Sequence, residues 1–523
     1  MMKKCTLLLG LFLLPVSMIQ ASFDVNDPPM GVFSDEWYAV MFKGQKSGHM
    51  HSTMERQKGK SGDVVVSTIT MRLEMGRGGT PVVVSMKQSS TETLKGEPVA
   101  FSNVLRLGNV PTTSRGTIKD GEVKIMTTQF GRSTTQTYAL PKGATMNWGS
   151  MLAQVRNGIE PGTSYEIGLY EPSMAPDRLI PVKVEMLERE TIDLFGRKIE
   201  AVKSRQVMTV QGVLGGAGEM ETIAWLADKT TAARMEMSIM NFQIEVVACS
   251  KAVALAPNDP AELMLDTLIP VEMPIPPERA RSITYRIRQK NGEEQAALEH
   301  LPETAIQKID SVNKNEVVIT VARPSAHKTP PPASTLTEQD RELYLAATSL
   351  VDYKDPEVAK LVKEAAGDEK DPRKLAERLC RFVGQYVRSK TLSVGFATAS
   401  EVARSREGDC TEHSVLLAAM GRGVGIPTRL VTGIVYTDNF ENRRHVFVGH
   451  MWTQFWIDGQ WVDLDPALRQ TDVDPTHIAF GLSGAGDTGV ADMTSSFWLA
   501  MGNLEIAILA TDPPTATPAE TQP

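Results

Sequence analysis

Cysteine is scarce in this chain of 523 residues, which contains four. So few cysteines do not form the disulfide framework that small secreted domains use. Basic residues are not in excess either, because the formal net charge is −8, and this argues against a nucleic-acid-binding surface. Beyond residue 21 the sequence has no apolar run long enough to span a bilayer. We therefore expect a soluble globular protein, and the length predicts two or three domains.

The N-terminus has the pattern of a secretory signal peptide. Lys3 and Lys4 precede an apolar run over residues 7–16, and small or polar residues follow around Ala21. A basic start, a short apolar run and a small-residue end are typical of a cleaved export signal. We therefore expect an exported protein, periplasmic or extracellular, without a membrane span after cleavage. The alternative is an uncleaved anchor.

The first half of the chain predicts antiparallel β structure. Apolar and polar residues alternate from residue 65 to residue 75, and the same period of two recurs at 182–186 and 234–240. Such alternation is typical of strands that have one buried and one solvated face. Turn signals such as Lys119-Asp120-Gly121 separate the runs. We therefore predict an antiparallel β-rich N-terminal domain.

Two proline-rich stretches, residues 257–277 and 323–335, interrupt the chain. Proline ends regular structure, so these stretches indicate linkers. Beyond residue 336, apolar residues recur at helical spacing, and strand patterns return from Leu430. The predicted fold class is α+β. The predicted division is a signal peptide 1–21, a β-rich domain 22–250, a linker 251–280, a short β segment and linker 281–335, a C-terminal domain 336–510 and a disordered tail 511–523.

The sequence GDCTE at 408–412 places a cysteine at the start of a predicted helix. Asp409 is a suitable N-cap, and Glu412 stands three residues later, as in a capping box. Cys410 is then the first helical residue, where free backbone N–H groups and the helix dipole stabilise a thiolate. A structural cysteine gains nothing from this position, whereas a nucleophile does.

A hairpin downstream predicts the base for that nucleophile. Asp458-Gly459 is a strong two-residue turn signal, and it pairs residue 457 with residue 460. The same register places His450, Trp452 and Asp465 on one face. His450 and Asp465 become diagonal neighbours with Cβ atoms about 7 Å apart, so the carboxylate reaches the imidazole. The sequence thus predicts a His–Asp pair that docks against the Cys410 thiol.

Several short motifs in this region resemble the transglutaminase-like superfamily. The resemblance covers about residues 340–480 and implies a papain-like fold, in which a helix that carries the cysteine packs against an antiparallel sheet. Transglutaminases, microbial cysteine proteases and peptide N-glycanases belong to this superfamily. The motifs are GDCTEH at 408–413, LL at 416–417, GIPTR at 425–429, GIVY at 433–436, HMW at 450–452, GQW at 459–461 and DP at 465–466.

The resemblance implies that Cys410 is the nucleophile, His450 the general base and acid, and Asp465 the residue that orients the histidine. Two features depart from the family. Transglutaminases usually stabilise the oxyanion with a tryptophan upstream of the cysteine, whereas this chain has no tryptophan between residues 225 and 452. Papain-like proteases use a glutamine, and nothing in the sequence places Gln385 beside Cys410. No calcium loop of EF-hand spacing is present.

Other residues compete for these roles. Instead of acting as a nucleophile, Cys410 could form a disulfide with Cys380 or Cys249, because exported proteins commonly contain disulfides. His445 is the rival base. Asp463 is the second choice for the orienting carboxylate, because it shares the hairpin face but pairs opposite residue 454.

The remaining candidates have supporting roles or no assigned chemistry. Trp452 is predicted to shield the His–Asp pair from water or to line a binding groove. His413, one turn along the nucleophile helix, is solvated or supports the site without taking part in catalysis. His49 and His51 have the spacing of two metal ligands on a strand, but no third ligand is evident. We therefore expect no metal and no cofactor.

These patterns predict acyl transfer by a Cys–His–Asp site on a protein or peptide substrate. Attack by the thiol forms a thioester, which water resolves in a protease or amidase and an amine resolves in a cross-linking enzyme. Hydrolysis is favoured because the upstream tryptophan is missing. The alternative from another class is a non-catalytic binding module of the cell envelope, with the N-terminal β region as the contact to an envelope protein.

Overall fold

The computed structural model describes residues 23–513 except 78–79, 108–109, 130–131, 214–215, 240–241, 263–264, 273, 276–278, 291–297, 299–300, 314–315, 327–333, 389–396 and 486–503. The predicted signal peptide, residues 1–21, lies outside the described residues. The chain divides into two compact units, Met1–Glu262 and Leu263–Pro523. The predicted α+β class, with a β-rich first half, is confirmed.

The first unit contains one antiparallel sheet of 14 strands. Strands β1–β8 form one meander and β9–β14 a second, and the two are joined where β1 pairs with β14. The strands are β1 Gly31–Phe42, β2 Gln45–Gly59, β3 Gly62–Arg77, β4 Thr80–Thr93, β5 Pro98–Leu107, β6 Val110–Lys119, β7 Glu122–Gln129, β8 Arg132–Ala139, β9 Ser164–Leu169, β10 Ile180–Leu194, β11 Arg197–Val213, β12 Gly216–Asp228, β13 Thr231–Ile239 and β14 Phe242–Cys249.

The predicted alternation is confirmed in β3. Ile69, Met71 and Leu73 are buried, whereas Thr68 and Arg72 on the other face retain access to solvent. Burying one face of each strand stabilises the sheet by about 25 cal/mol for each Å² of apolar surface removed from water. The period of two in the sequence therefore identifies the face that packs.

A carboxylate from the sheet caps the N-terminus of helix α1, Asn147–Asn157. Glu92 on β4 is fully buried and accepts hydrogen bonds from the backbone N–H groups of Met146 (3.1 Å), Trp148 (2.7 Å) and Gly149 (2.9 Å). Burial raises the pKa of Glu92 to about 7, although these donors favour its charged form. A short helix α2, Lys251–Ala254, follows β14.

The second unit combines helices with two antiparallel sheets. One sheet has the order β15-β20-β19-β22, with β21 paired to β20, and the other has the order β17-β18-β16-β23. The elements are β15 Ile269–Pro270, β16 Ser282–Gln289, β17 Gln307–Asn313, β18 Glu316–Ala322, α3 Glu338–Leu345, α4 Pro356–Ala366, α5 Pro372–Tyr386, α6 Ala399–Ser405, α7 Cys410–Gly423, β19 Thr428–Phe440, β20 Arg443–Ile457, β21 Gln460–Leu464, β22 Ile478–Ser483 and β23 Leu504–Asp512.

Segments outside the predicted C-terminal domain, residues 336–510, also take part in the sheets of this unit. Strand β15 comes from the predicted linker 251–280 and pairs with β20. Strands β16–β18 come from the predicted segment 281–335. Strand β23 ends at Asp512, inside the predicted tail, and pairs with β16. These pairings join residues more than 150 positions apart.

The helices begin where their capping residues predict. Asp355 caps α4 and Asp371 caps α5, and in both helices a proline stands in the first turn. On α5 the predicted apolar stripe is buried at Leu375, Leu379 and Val383. Within the part of the chain that the structure describes, no helix is long and apolar enough to cross a membrane.

Candidate active site

The predicted capping box forms at the start of α7. The Asp409 carboxylate accepts a hydrogen bond from the Thr411 backbone N–H (2.8 Å), and Glu412 accepts one from the Asp409 N–H (2.9 Å). Glu412 is fully buried, and burial first, then the neighbouring Asp409, raises its pKa well above the usual range. Cys410 is the first residue of the helix, and its side chain is half-buried and free. Cys410 is therefore less buried than Cys249 and Cys380.

The capping box depends on a glycine. Gly408 has φ +147°, and a Cβ atom on it would lie 2.2 Å from the Cβ atom of Glu412. Any larger residue would displace the Glu412 side chain that folds back over the helix start. The sequence GDCTE is thus explained by local sterics around Cys410.

The predicted hairpin register is confirmed. Ile457 pairs with Gln460, and Asp458 and Gly459 both have positive φ, 52° and 77°. Positive φ at both central residues is what a type I′ turn requires. The ladder ends at Leu464, so Asp465 is the first residue beyond it.

His450 lies between Asp465 and Cys410. Its Nε2 donates to Oδ2 of Asp465 at 2.6 Å, and Cys410 lies near enough to the ring to interact with it electrostatically. Because Nε2 is bonded to the carboxylate, Nδ1 is the ring nitrogen that remains for the thiol. Burial alone lowers the pKa of His450, but Asp465 and Cys410 outweigh it and raise the pKa to about 9.

Asp465 accepts hydrogen bonds from a second histidine as well. Nε2 of His477 lies 3.0 Å from the same Oδ2 atom, and the Leu468 backbone N–H donates to Oδ1 at 2.9 Å. Burial tends to raise the pKa of Asp465, but His450 and His477 together hold it well below the usual range. The fully buried carboxylate is therefore ionised and shared between two imidazoles.

His477 was not predicted from the sequence. It stands 12 residues after Asp465, immediately before β22, in a loop without periodicity. Its Nδ1 lies 3.3 Å from Oδ1 of Asp474. Burial lowers its pKa, but the bonds to Asp465 and Asp474 raise the pKa to about 10. The available signal in the sequence was a histidine 12 residues after Asp465. Only the conformation of the loop shows that this histidine reaches the Asp465 carboxylate.

Trp452 and Asp463 form a separate contact behind this group. Oδ1 of Asp463 accepts from Nε1 of Trp452 (2.7 Å) and from Nε2 of Gln454 (2.7 Å). Trp452 is fully buried, and its ring stacks near His450, with centroids 6.3 Å apart. Asp463, the second choice for the orienting carboxylate, thus contacts the tryptophan, and Asp465 contacts the histidine.

The other competing residues lie elsewhere in the second unit. His445, the rival base, contacts the Tyr436 hydroxyl (2.9 Å). His413 is buried, with Nδ1 2.6 Å from the backbone oxygen of Asp409, so the solvated alternative does not hold. Gln385 lines an exposed cleft of about 500 Å³ between α4, α5 and α6.

The disulfide alternatives for Cys410 are not formed, since Cys249, Cys380 and Cys410 are all free. Cys380 is fully buried, and its Sγ contacts the backbone oxygen of Gln470 at 3.6 Å. Burial raises the pKa of Cys249 to about 11. Of these three thiols, Cys410 alone is more than marginally accessible.

His450, Asp465 and His477 also lie close enough together to be considered as a metal site. Their ligand atoms lie within 4.8 Å of one another, the one such group of three in the described ranges. Each contact to Asp465 has the length of an N–H···O hydrogen bond, 2.6 and 3.0 Å. Protons account for both contacts, so we assign the group to hydrogen bonding.

Comparison with known families agrees with this geometry. Residues 359–466 match the sequence model of the transglutaminase-like superfamily, a range that contains Cys410, His450 and Asp465. The resemblance to this superfamily that the motifs indicated is therefore confirmed over this part of the chain. The match ends at Pro466, so the core as matched does not include His477. A comparison with curated proteins found no match.

Solved structures show low similarity to the chain. A Cytophaga hutchinsonii protein, provisionally named a cysteine protease, is 15% identical with a TM-score of 0.30, over 45% of this chain and 91% of its own. A β-barrel-like protein from Brucella abortus with a domain of unknown function is 12% identical with a TM-score of 0.30, over 42% of this chain and 97% of its own. A Parabacteroides distasonis protein, provisionally named a protease, is 10% identical with a TM-score of 0.19, over 79% of this chain and 70% of its own.

Proposed function

We propose that the second unit is a cysteine-dependent acyl-transfer enzyme that hydrolyses peptide or protein amides. The proposal is carried by the position of His450, which donates to Asp465 through one ring nitrogen and lies close to the half-buried Cys410. A thiol, a base and a group that orients the base are the three parts that nucleophilic catalysis needs. The transglutaminase-like core supports the same class of chemistry.

The proposed reaction has two halves. The Cys410 sulfur, with its proton held on His450, attacks the amide carbonyl, and a tetrahedral oxyanion forms. The Cys410 backbone N–H, at the first helical position, is one donor to that oxyanion. His450 then gives the proton to the amine, the C–N bond breaks, and a thioester remains. Water, deprotonated by His450, cleaves the thioester and releases the Cys410 sulfur, with the proton again on His450.

Asp465 keeps the imidazole in the tautomer and orientation that this sequence needs. An ionised carboxylate on Nε2 fixes the proton there and stabilises the imidazolium that forms on proton transfer. Trp452 covers the pair, which strengthens the electrostatic interaction because water is excluded. General acid–base catalysis of this kind contributes about 10²–10⁴-fold to a rate.

The first test is the alkylation of Cys410 by iodoacetamide in the full chain, followed by mass spectrometry between pH 5 and 10. We expect rapid labelling at pH 7 that falls at least tenfold in His450→Ala and in Asp465→Ala. The matched control is His445→Ala, which removes a histidine from the same strand and should leave the rate unchanged. An alkylation rate that does not change in His450→Ala, or a pH dependence like that of an ordinary thiol of pKa about 8.5, would contradict the proposal. The non-catalytic binding module would then be the better explanation.

The acyl acceptor is decided by a second measurement. With a peptide substrate in ¹⁸O water, hydrolysis places ¹⁸O in the new carboxylate. With an added primary amine, a cross-linking enzyme forms an amide instead, and the product lacks the label. We expect the labelled carboxylate in both cases.

We also propose that the enzyme is exported and that the first unit binds a protein partner of the cell envelope. Lys3, Lys4 and the apolar run 7–16 support export. N-terminal sequencing of the mature protein tests this, and a first residue near position 22 is expected. Cross-linking in intact cells, with a photoreactive residue at exposed Val32, tests the envelope partner.

A further inference from the structure

Asp465 needs support that the hairpin does not provide. It follows the last ladder residue, Leu464, so no strand pairing within β21 fixes its backbone. Two backbone hydrogen bonds with Gln470 close a turn instead, from Asp465 N–H to Gln470 oxygen (2.9 Å) and from Gln470 N–H to Asp465 oxygen (2.8 Å). The orientation of the carboxylate therefore depends on the loop that follows it.

That loop closes on itself through side chains. The Gln470 amide nitrogen donates to Asp474 (2.6 Å), and its amide oxygen accepts from the Asp474 backbone N–H (2.8 Å). Asp474 also accepts from Thr476 and lies 3.3 Å from Nδ1 of His477. His477 completes the circuit at Oδ2 of Asp465. Each side chain in the circuit is therefore held at two ends.

We propose that His477 is a positioning residue, and that the circuit Asp465–Gln470–Asp474–His477 fixes the carboxylate against His450. This inference rests on the proposed function, because it assigns a role within the same site. His477 is fully buried and bonds Asp465 and Asp474, and no hydrogen bond joins it to Cys410 among the described residues, so we infer that it acts through Asp465. Its ring is fully buried and packs edge-to-face on Trp452, with centroids 5.2 Å apart, which prevents rotation of the ring.

A charged His477 has an electrostatic effect on His450 as well. The two rings lie 5.7 Å apart and share one carboxylate oxygen, so a positive charge on one disfavours a positive charge on the other. Removing the charge while keeping a donor to Asp465 leaves His450 as the cationic partner of the carboxylate in this pair of rings. The titratable and charged groups that face the two rings, directly or through Asp465 and Asp463, are Cys380, Cys410, Asp463, Asp465, Asp474 and, through Asp463, Arg429.

Two variants separate positioning from packing. His477→Gln keeps an N–H donor at about the place of Nε2 and removes the charge, whereas His477→Leu keeps the volume and removes the donor. We expect His477→Leu to slow the alkylation of Cys410 at pH 7 by about 10–100-fold, as for other outer-shell partners, and His477→Gln to retain most of the rate. His445→Gln is the matched control and leaves the rate unchanged.

A direct readout is the titration of His450 by NMR in the full chain labelled with ¹³Cε1-histidine. We expect the midpoint of His450 to rise by about 0.5–1 pH unit in His477→Gln, because the neighbouring positive charge is gone. A histidine that only fills space would leave the midpoint unchanged. If His477→Leu does not fold, as judged from its melting temperature, the His477→Gln midpoint still decides the question.

The inference is overturned if His477→Leu folds and labels at the parent rate, or if the His450 midpoint does not move in His477→Gln. These outcomes differ from failure of the proposed function, in which the parent itself labels slowly and His450→Ala changes nothing. In that case the NMR midpoint still reports whether His477 and His450 share Asp465.

Discussion

The two units each contain a fully buried carboxylate, and the two carboxylates behave in opposite ways. Glu92 in the first unit accepts hydrogen bonds from three backbone N–H groups and a serine hydroxyl, and burial still raises its pKa to about 7. Asp465 in the second unit accepts from two imidazoles, and its pKa is held well below the usual range. Neutral donors do not offset the cost of burying a charge here, whereas two cationic partners do. The first arrangement anchors a helix, and the second keeps an anion beside the His450 imidazole.

The largest expected effect comes from removing the charge of each carboxylate in turn. Asp465→Asn removes the charge that stabilises the His450 imidazolium, so the alkylation of Cys410 at pH 7 should fall about a hundredfold. Glu92→Gln removes the charge of the other buried carboxylate and should leave the rate within about twofold of the parent, because Glu92 serves α1 alone. Mass spectrometry of the Cys410 peptide measures both. Equal effects of the two variants would contradict the comparison.

The next effect concerns stability against pH. The pKa of Glu92 rises from 4.5 to about 7 on folding, so its contribution to the unfolding free energy is complete below pH 4.5 and is lost as pH rises to about 7. The loss is on the order of 3 kcal/mol. Hydrogen exchange of α1 peptides in the full chain should therefore accelerate between pH 4.5 and 7, after correction for intrinsic exchange, and Glu92→Gln should remove this change.

The second unit should respond to acid with the opposite sign. The pKa of Asp465 is lowered on folding, so its contribution is present above about pH 4 and is lost as pH falls below that value. Exchange of peptides from 445–480 should accelerate on acidification below about pH 4. The same response in both units would show that the partners of the two carboxylates do not control their titration.

A third effect compares how the two helices begin. Helix α1 takes its cap from Glu92, more than 50 residues away, whereas α7 takes its cap from its own first turn. Gly408→Ala drives a Cβ atom into Glu412, so we expect a loss of about 1–3 kcal/mol in the free energy of unfolding and slower labelling of Cys410. Gly425→Ala is the matched control: its φ is +83° with open space around it, so about 1 kcal/mol and normal labelling are expected.

The smallest expected effect is a change in reagent preference that reports the charge on His450. An imidazolium attracts iodoacetate, which is an anion, but not iodoacetamide. The ratio of the two alkylation rates should fall severalfold as pH rises through about 9, where His450 loses its proton. His450→Gln should show a low ratio at every pH. A ratio that stays constant in the parent would indicate that no imidazolium faces the thiol.

Much of the candidate site was accessible to sequence analysis because its parts are local. The capping box joins Asp409 to Glu412 across three residues, and the Asp458-Gly459 turn fixes the register of the hairpin. That register predicted the proximity of His450 and Asp465, which lie 15 residues apart. Helical and strand periods act over such distances, so a motif of a few residues carries their geometry.

The parts that were not predicted depend on contacts without a period. His477 reaches Asp465 because an irregular loop closes through Gln470 and Asp474. Strand β23 pairs with β16 from more than 200 residues away, and the pairing of β1 with β14 joins the two meanders. No local pattern encodes which distant edge a strand will meet.

Sequence patterns were sufficient to predict the helix that begins at Cys410, its cap, the hairpin register and the strand faces, since each follows from the backbone geometry of neighbouring residues. The tertiary structure alone decided the charge state of the buried carboxylates and the number of imidazoles on Asp465. Those properties depend on which partners reach a group after folding, and burial magnifies the effect of each partner because little water remains to screen it.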